Sequence, residues 1–124
     1  MRDSYTGQRA LRVEPGETER SWNSVKLPVK AGEQYELAGF IRSTSTDARA
    51  LIRVTWYDSS GREIGHDETA SVGKSDWKRA EPWRGEPVEA PPDATHAIVS
   101  CVVTPGTDGG VWFDEIVLAA PITP

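Results

Sequence analysis

The sequence predicts an all-β domain, with antiparallel strands arranged as a sandwich or a closed barrel. Three observations carry this. Eleven Gly and nine Pro in 124 residues break the chain into short segments, roughly eight to twelve residues apart. No window holds an uninterrupted apolar stripe at the 3.6-residue helical period; the segments between breakers alternate apolar and polar residues instead. No helical segment is available to cross between parallel strands, so the pairing has to be antiparallel.

Each element follows from its own pattern. Arg9–Glu14 reads as a short strand stopped by Pro15-Gly16, and Ser21–Leu27 as the next. After the turn Lys30-Ala31-Gly32-Glu33, the strand Gln34–Ser43 places Tyr35, Leu37, Gly39 and Ile41 on one face and Glu36, Ala38, Phe40 and Arg42 on the other. Arg49–Asp58 repeats this, with Ala50, Ile52, Val54 and Trp56 against Leu51, Arg53, Thr55 and Tyr57. Asp58-Ser59-Ser60-Gly61 is a hairpin turn with glycine at its positive-φ position, and Arg62–Ser71 returns from it. Trp77–Glu89 is interrupted by Pro82 and Pro87, which suit an edge strand or a loop excursion. Thr95–Thr104 sets Ala97, Val99, Cys101 and Val103 against His96, Ile98, Ser100 and Val102. Thr107-Asp108-Gly109-Gly110 then turns into Val111–Ala119. The eight strands form one domain over residues 1–124, with its core at about 7–119 and a tail or linker stub at 120–124.

Composition excludes several classes. Fourteen basic against nineteen acidic residues give a net charge of −5, which argues against a nucleic-acid partner. No run reaches the roughly 18 apolar residues of a membrane-spanning helix, and the polar start lacks a signal-peptide core. A single cysteine, Cys101, rules out an internal disulfide framework. The unusual feature is that five of ten aromatic residues are Trp: Trp22, Trp56, Trp77, Trp83 and Trp112.

In order along the chain, Ala10–Glu14 (ALRVE), Val29–Arg42 (VKAGEQYELAGFIR), Val54–Gly65 (VTWYDSSGREIG), Trp77-Lys78-Arg79, Ala90–Val103 (APPDATHAIVSCVV) and Val111–Leu118 (VWFDEIVL) resemble a known family. It is the jelly-roll carbohydrate-binding modules of the galactose-binding-domain-like superfamily, the type appended to xylanases, glucanases and polysaccharide lyases. The resemblance runs from about residue 7 to residue 119. It implies a jelly-roll β-sandwich that binds polysaccharide or oligosaccharide without catalysis, targets a parent protein and works extracellularly, the signal peptide lying outside this chain. It also implies a structural calcium ion at Asp114 of the FD motif. The family's acidic partner sits on an additional first strand without an obvious copy here, so Glu14 or Glu17 is the expected second ligand. A second departure is the longer stretch between Trp77 and Pro91, which carries Trp83 between Pro82 and Arg84.

A sugar ring needs a flat aromatic platform and polar side chains for its hydroxyls. Parity assigns Tyr35 and Trp56 to the core. Phe40 and Tyr57 lie on the opposite faces of their strands beside Arg42 and Arg53, the surface that in the family is often the concave glycan-binding face. Trp83, in its proline-flanked loop, has no periodic reason for burial and is the leading candidate; Trp22 follows. Trp77 matches a packing position, and Trp112 and Phe113 are both buried only if a bulge falls at Asp114-Glu115. Arg42, Arg53, Glu36, His96 and Ser100 are the candidate polar partners, with a solvated charged face as the plainer reading. His66-x-Glu68 lacks the further ligands a catalytic metal site needs, Ser100 near His96 has no oxyanion loop, and Cys101 has the parity of a buried small residue. The rival function is a structural or adhesion module of a phage, virion or cell-surface assembly, making protein contacts and oligomerising through strand addition to an open edge.

Overall fold

The computed structural model describes residues 11–24, 26–82 and 85–120. Among these the chain forms strands β1 (Leu11–Val13), β2 (Arg20–Asn23), β3 (Leu27–Pro28), β4 (Gln34–Ser43), β5 (Ala50–Tyr57), β6 (Glu63–Glu68), β7 (Ser75–Ala80), β8 (Val88–Glu89), β9 (His96–Val103) and β10 (Val111–Ala119), and no α-helix. All pairings are antiparallel. They give two five-stranded sheets. The first runs β1-β10-β4-β7, with β8 also on β4; the second runs β2-β9-β5-β6, with β3 also on β9. The expected sandwich is therefore present, and the barrel is not.

Two expected strands are each divided. Ser21–Leu27 becomes β2 and β3, which pair with successive parts of β9. Trp77–Glu89 becomes β7 and β8, both on β4, with the chain leaving the sheet around Pro82 and Pro87. A proline cannot donate to the ladder, so the edge of β4 is where such an interruption is tolerated.

The inward faces match the alternation. Leu37 and Ile41 of β4 and Val111 and Phe113 of β10 pack across from Ile52, Val54 and Trp56 of β5 and Val99, Cys101 and Val103 of β9. Trp56 is 1% exposed, and its Nε1–H donates to Asp67 Oδ2 at 2.8 Å, so the indole is buried with its polar atom satisfied. Tyr35 packs beside it, ring centroids 6.1 Å apart, and its hydroxyl accepts the Lys30 N–H at 2.8 Å. Burial pushes the Cys101 thiol up to about 12, so it is a neutral packing residue at physiological pH.

Two irregularities position the surface. The hairpin after β5 turns at Gly61, with φ 86°, while Asp58 Oδ1 accepts from the N–H groups of Ser60 and Arg62. In β10 the register with β4 slips between Asp114 and Val117, where Glu115 adopts φ 50°. This bulge returns Ile116 to the interior and leaves Phe113 inside at 1% exposure, while Trp112 stays half-buried on the outer side. It does not bury both rings.

Candidate functional site

The outer face of the first sheet gathers aromatic and basic side chains in two adjacent rows. Register places Arg12 of β1 opposite Trp112 of β10, and Trp112 opposite Arg42 of β4. The Arg42 guanidinium carbon lies 4.4 Å from the Trp112 ring centroid, and that of Arg12 lies 5.2 Å from it, both within cation–π range. Two residues along, Asp114 is opposite Phe40, and Phe40 is opposite Arg79 of β7. Trp77 precedes it on β7, where the register with β4 shifts between Ile41 and Ser43. Phe40, Trp77 and Trp112 are each half-buried.

Arg79 bonds to Glu81 Oε2 at 3.2 Å and Glu36 Oε1 at 2.9 Å. The bonds to Glu81 and then Glu36 raise its pKa. Beside this pair a cavity of about 220 Å³ opens where the chain passes from β7 to β8, lined by Glu36, Arg79, Glu81, Pro82 and Pro87 among others.

The outer face of the second sheet is built differently. Arg53 Nε meets Glu68 Oε2 at 2.6 Å and its Nη1 lies 3.7 Å from Glu19. Burial lowers the Arg53 pKa, but Glu68 and Glu19 outweigh it and the net shift is upward. Ser100 donates to Asn23 Oδ1 at 2.6 Å, Thr95 and His96 share a bond at 2.9 Å, and Lys26 Nζ sits 5.6 Å above the Tyr57 ring. Thr55, Ser100 and Val102 are buried at the centre of this face. It is a surface whose polar groups are largely paired with one another.

The candidate residues are therefore divided. Phe40, Arg42 and Glu36 are on the outer face of one sheet; Tyr57, Arg53, His96 and Ser100 are on the outer face of the other. Grouping them on one glycan-binding surface is incorrect, because parity fixes which side of its own sheet a residue takes but not which sheet its strand joins. Trp22, opposite Cys101 on β9, has inward parity but is 51% exposed at the open end of the sandwich. There it lines a cavity of about 370 Å³ with Leu11, Leu27, Phe113 and Leu118. Trp83 and Arg84 lie outside the described residues. Arg12 is not a residue that the sequence singles out; the signal that finds it beside Trp112 and Arg42 is the β1–β10–β4 register, which brings distant parts of the chain into one row.

Asp114 and Glu14 do not fit one calcium ion. The β1–β10 ladder runs Leu11–Phe113 to Val13–Val111, so Glu14 falls beside Gly110, about 13 Å along the strand from Asp114. Calcium–oxygen bonds are far shorter. Glu14 instead pairs with Arg12 at 3.1 Å, and Asp114 Oδ1 accepts the Glu115 N–H. Among the described residues no three His, Cys, Asp or Glu side chains converge as a metal site, and Glu68 of the His66-x-Glu68 pair is engaged by Arg53.

No protein-family profile and no curated protein matches the sequence. Solved structures do match. Tailspike protein 4 of bacteriophage CBA120, in its enzymatically active domain, superposes with a TM-score of 0.70 at 13% identity over 90% of this chain and 15% of that one. A family 16 carbohydrate-binding module gives 0.65 at 14% identity, covering 93% and 79%. The fold is the jelly-roll β-sandwich that these structures share. The CBM22-1–GH10 modules of Clostridium thermocellum xylanase 10B, complexed with xylohexaose, give 0.64 at 15% identity, covering 95% and 23%. This jelly-roll chain thus spans less than a quarter of the tailspike and xylanase chains, and most of the matched structures are carbohydrate-binding modules.

Proposed function

We propose that the protein is a non-catalytic carbohydrate-binding module, which holds a polysaccharide on the outer face of its first sheet and targets an extracellular parent protein. The observation that carries the reading is the gathering of Phe40 and Trp112 on one face with Arg12, Arg42, Arg79 and Glu36. Half-buried rings offer apolar planes for the C–H faces of pyranoses, and the arginines and carboxylates beside them offer donors and acceptors for hydroxyls. The fold-level likeness to modules such as the one complexed with xylohexaose supports the same reading. The second sheet's outer face, occupied by the Glu19–Arg53–Glu68 group, suits it less.

The test is pull-down on insoluble polysaccharides, followed by titration with the retained glycan while Trp fluorescence is recorded. Saturable binding that weakens in Phe40→Ala and Trp112→Ala supports the assignment. No binding to any glycan on a broad array, or binding indifferent to both substitutions, refutes the function or the face respectively.

A second reading, a structural module in a larger assembly, is favoured by the likeness to the tailspike and by the apolar mouth around the exposed Trp22. A defined oligomer by light scattering, lost in Trp22→Ser and without glycan binding, would select it.

A further inference from the structure

At one end of the first sheet, a shallow groove of about 500 Å³ is lined by Arg42, Ser43, Thr44, Lys74, Ser75 and Asp76. Two buried polar atoms among its lining residues, Arg42 Nη1 and Ser75 Oγ, have no hydrogen-bond partner among the described residues. Both residues belong to paired strands, β4 and β7, where Ser43 is opposite Ser75. The arginine side chain is only 4% exposed.

The nearest anion does not satisfy it. Asp76 Oδ1 is 3.9 Å from Arg42 Nε, at the outer limit of an ion pair, and the same oxygen already accepts the Trp77 N–H at 2.8 Å. The Asp76 side chain is itself 90% exposed and so strongly screened. Contact with the Trp112 ring stabilises the cation through one face, but a ring supplies no acceptor for an N–H. Burying a guanidinium without a hydrogen-bonded anion is costly, and arginine does not escape the cost by losing its proton. Lys74 adds a second positive charge to the groove lining, leaving two cations against one carboxylate in a chain whose net charge is −5. The local excess of positive charge thus runs against the character of the whole molecule.

We infer that this groove is a subsite for the carboxylate of an acidic sugar, a hexuronic acid within the bound polysaccharide. The inference rests on the carbohydrate reading of the neighbouring face and specifies the class of glycan. The carboxylate takes hydrogen bonds from the Arg42 guanidinium, with Lys74 as the second cation, and the exposed Asp76 side chain swings aside. The pyranose that carries it then lies beside the Trp112 ring, at the end of the aromatic rows. A planar guanidinium matches the two oxygens of a carboxylate better than it matches a hydroxyl.

Calorimetric titration of the full chain against three matched pairs tests this: glucuronoxylan and xylan, polyglucuronate and β-1,4-glucan, polygalacturonate and its carboxyl-reduced form. In at least one pair the acidic member binds roughly ten- to a hundredfold tighter at pH 7, the gain expected of one charge-assisted contact. That preference falls as salt is added. Lys74→Ala narrows the ratio of acidic to neutral affinity, and Arg42→Lys, which keeps the charge of the residue packed against Trp112 but removes its planar fork, narrows it as well. Equal affinity in every pair that binds, or a preference that survives both Lys74→Ala and Arg42→Lys, overturns the subsite and leaves the carbohydrate reading standing. Binding to none of the six overturns the subsite, while the broad glycan array decides the carbohydrate reading.

Discussion

Asp47 and Thr107 join two loops that are distant in sequence: Asp47 Oδ2 accepts the Thr107 hydroxyl at 2.6 Å and its N–H at 3.0 Å. The arrangement is reciprocated, since Asp108 takes the Thr46 hydroxyl at 2.7 Å and the Thr46 N–H at 2.8 Å. The β4–β5 loop and the β9–β10 turn are thus clasped twice, beside the groove that Arg42 and Lys74 line.

The clasp makes the fold acid-sensitive. Hydrogen bonds from the Thr107 side chain, then its backbone, hold Asp47 down at about 2, and the Thr46 hydroxyl and backbone lower Asp108. A carboxyl with a depressed folded-state pKa contributes stability that is fully present above its unfolded value and is lost as pH falls through the folded one. The melting temperature followed by circular dichroism should therefore decline between about pH 4 and pH 2. Asp47→Asn should flatten that decline while lowering the plateau at pH 7; an unchanged profile would count against the clasp.

Gly109 in the same turn should tolerate no side chain. Its φ is 72°, and a Cβ there would sit 2.6–2.7 Å from backbone atoms of Thr44 and Ser45, which have no rotamer to change. Gly109→Ala should cost about 2–4 kcal/mol. Gly32, with φ 77° but open space around its Cα, should cost only about 1–2 kcal/mol on the same change. Urea unfolding of the two variants gives the comparison directly.

Trp56 separates packing from hydrogen bonding. Trp56→Ala should cost about 3–5 kcal/mol, the range for emptying a large aromatic site. Trp56→Phe keeps most of the volume but strands Asp67 without its donor, and should cost about 1–3 kcal/mol. The order Ala worse than Phe, measured by chemical denaturation, is the expectation; a reversal would mean that the half-buried carboxylate matters more than the cavity.

For the binding face the contrast is between sheets. Trp112→Ala should weaken glycan binding roughly three- to tenfold, the loss expected when one stacking contact is removed. Tyr57→Ala, on the opposite side of the sandwich, should leave it unchanged. Were Tyr57→Ala the damaging change in glycan titrations, the face would have to be reassigned to the second sheet.

Much of the architecture could be read from residue alternation. Tyr35, Leu37 and Ile41, then Ile52, Val54 and Trp56, then Val99, Cys101 and Val103 are all interior, because a period of two leaves a strand one consistent choice. What alternation lacks is long-range pairing. Phe40 and Tyr57 each oppose their own core residues, yet they ended 180° apart across the sandwich, since nothing local states that β4 joins β10 while β5 joins β9. The same gap hid the Arg12–Trp112–Arg42 row, whose members span a hundred residues of chain. Only the β1–β10 register shows that Glu14 falls beside Gly110 and away from Asp114.

The lone thiol supplies a built-in clock. Cys101 is 1% exposed in the middle of β9, and at neutral pH its sulfur is protonated and unreactive. A thiol reagent reaches it only when the packing around it opens, at the cavity beside Trp22 or between the sheets, so the labelling rate of the unmodified protein records the frequency of that event. At fixed pH, bound glycan or a substitution in the clasp would each change the rate through the opening equilibrium. With no second cysteine in the sequence to confuse the reading, breathing of the sandwich can be timed without adding a probe.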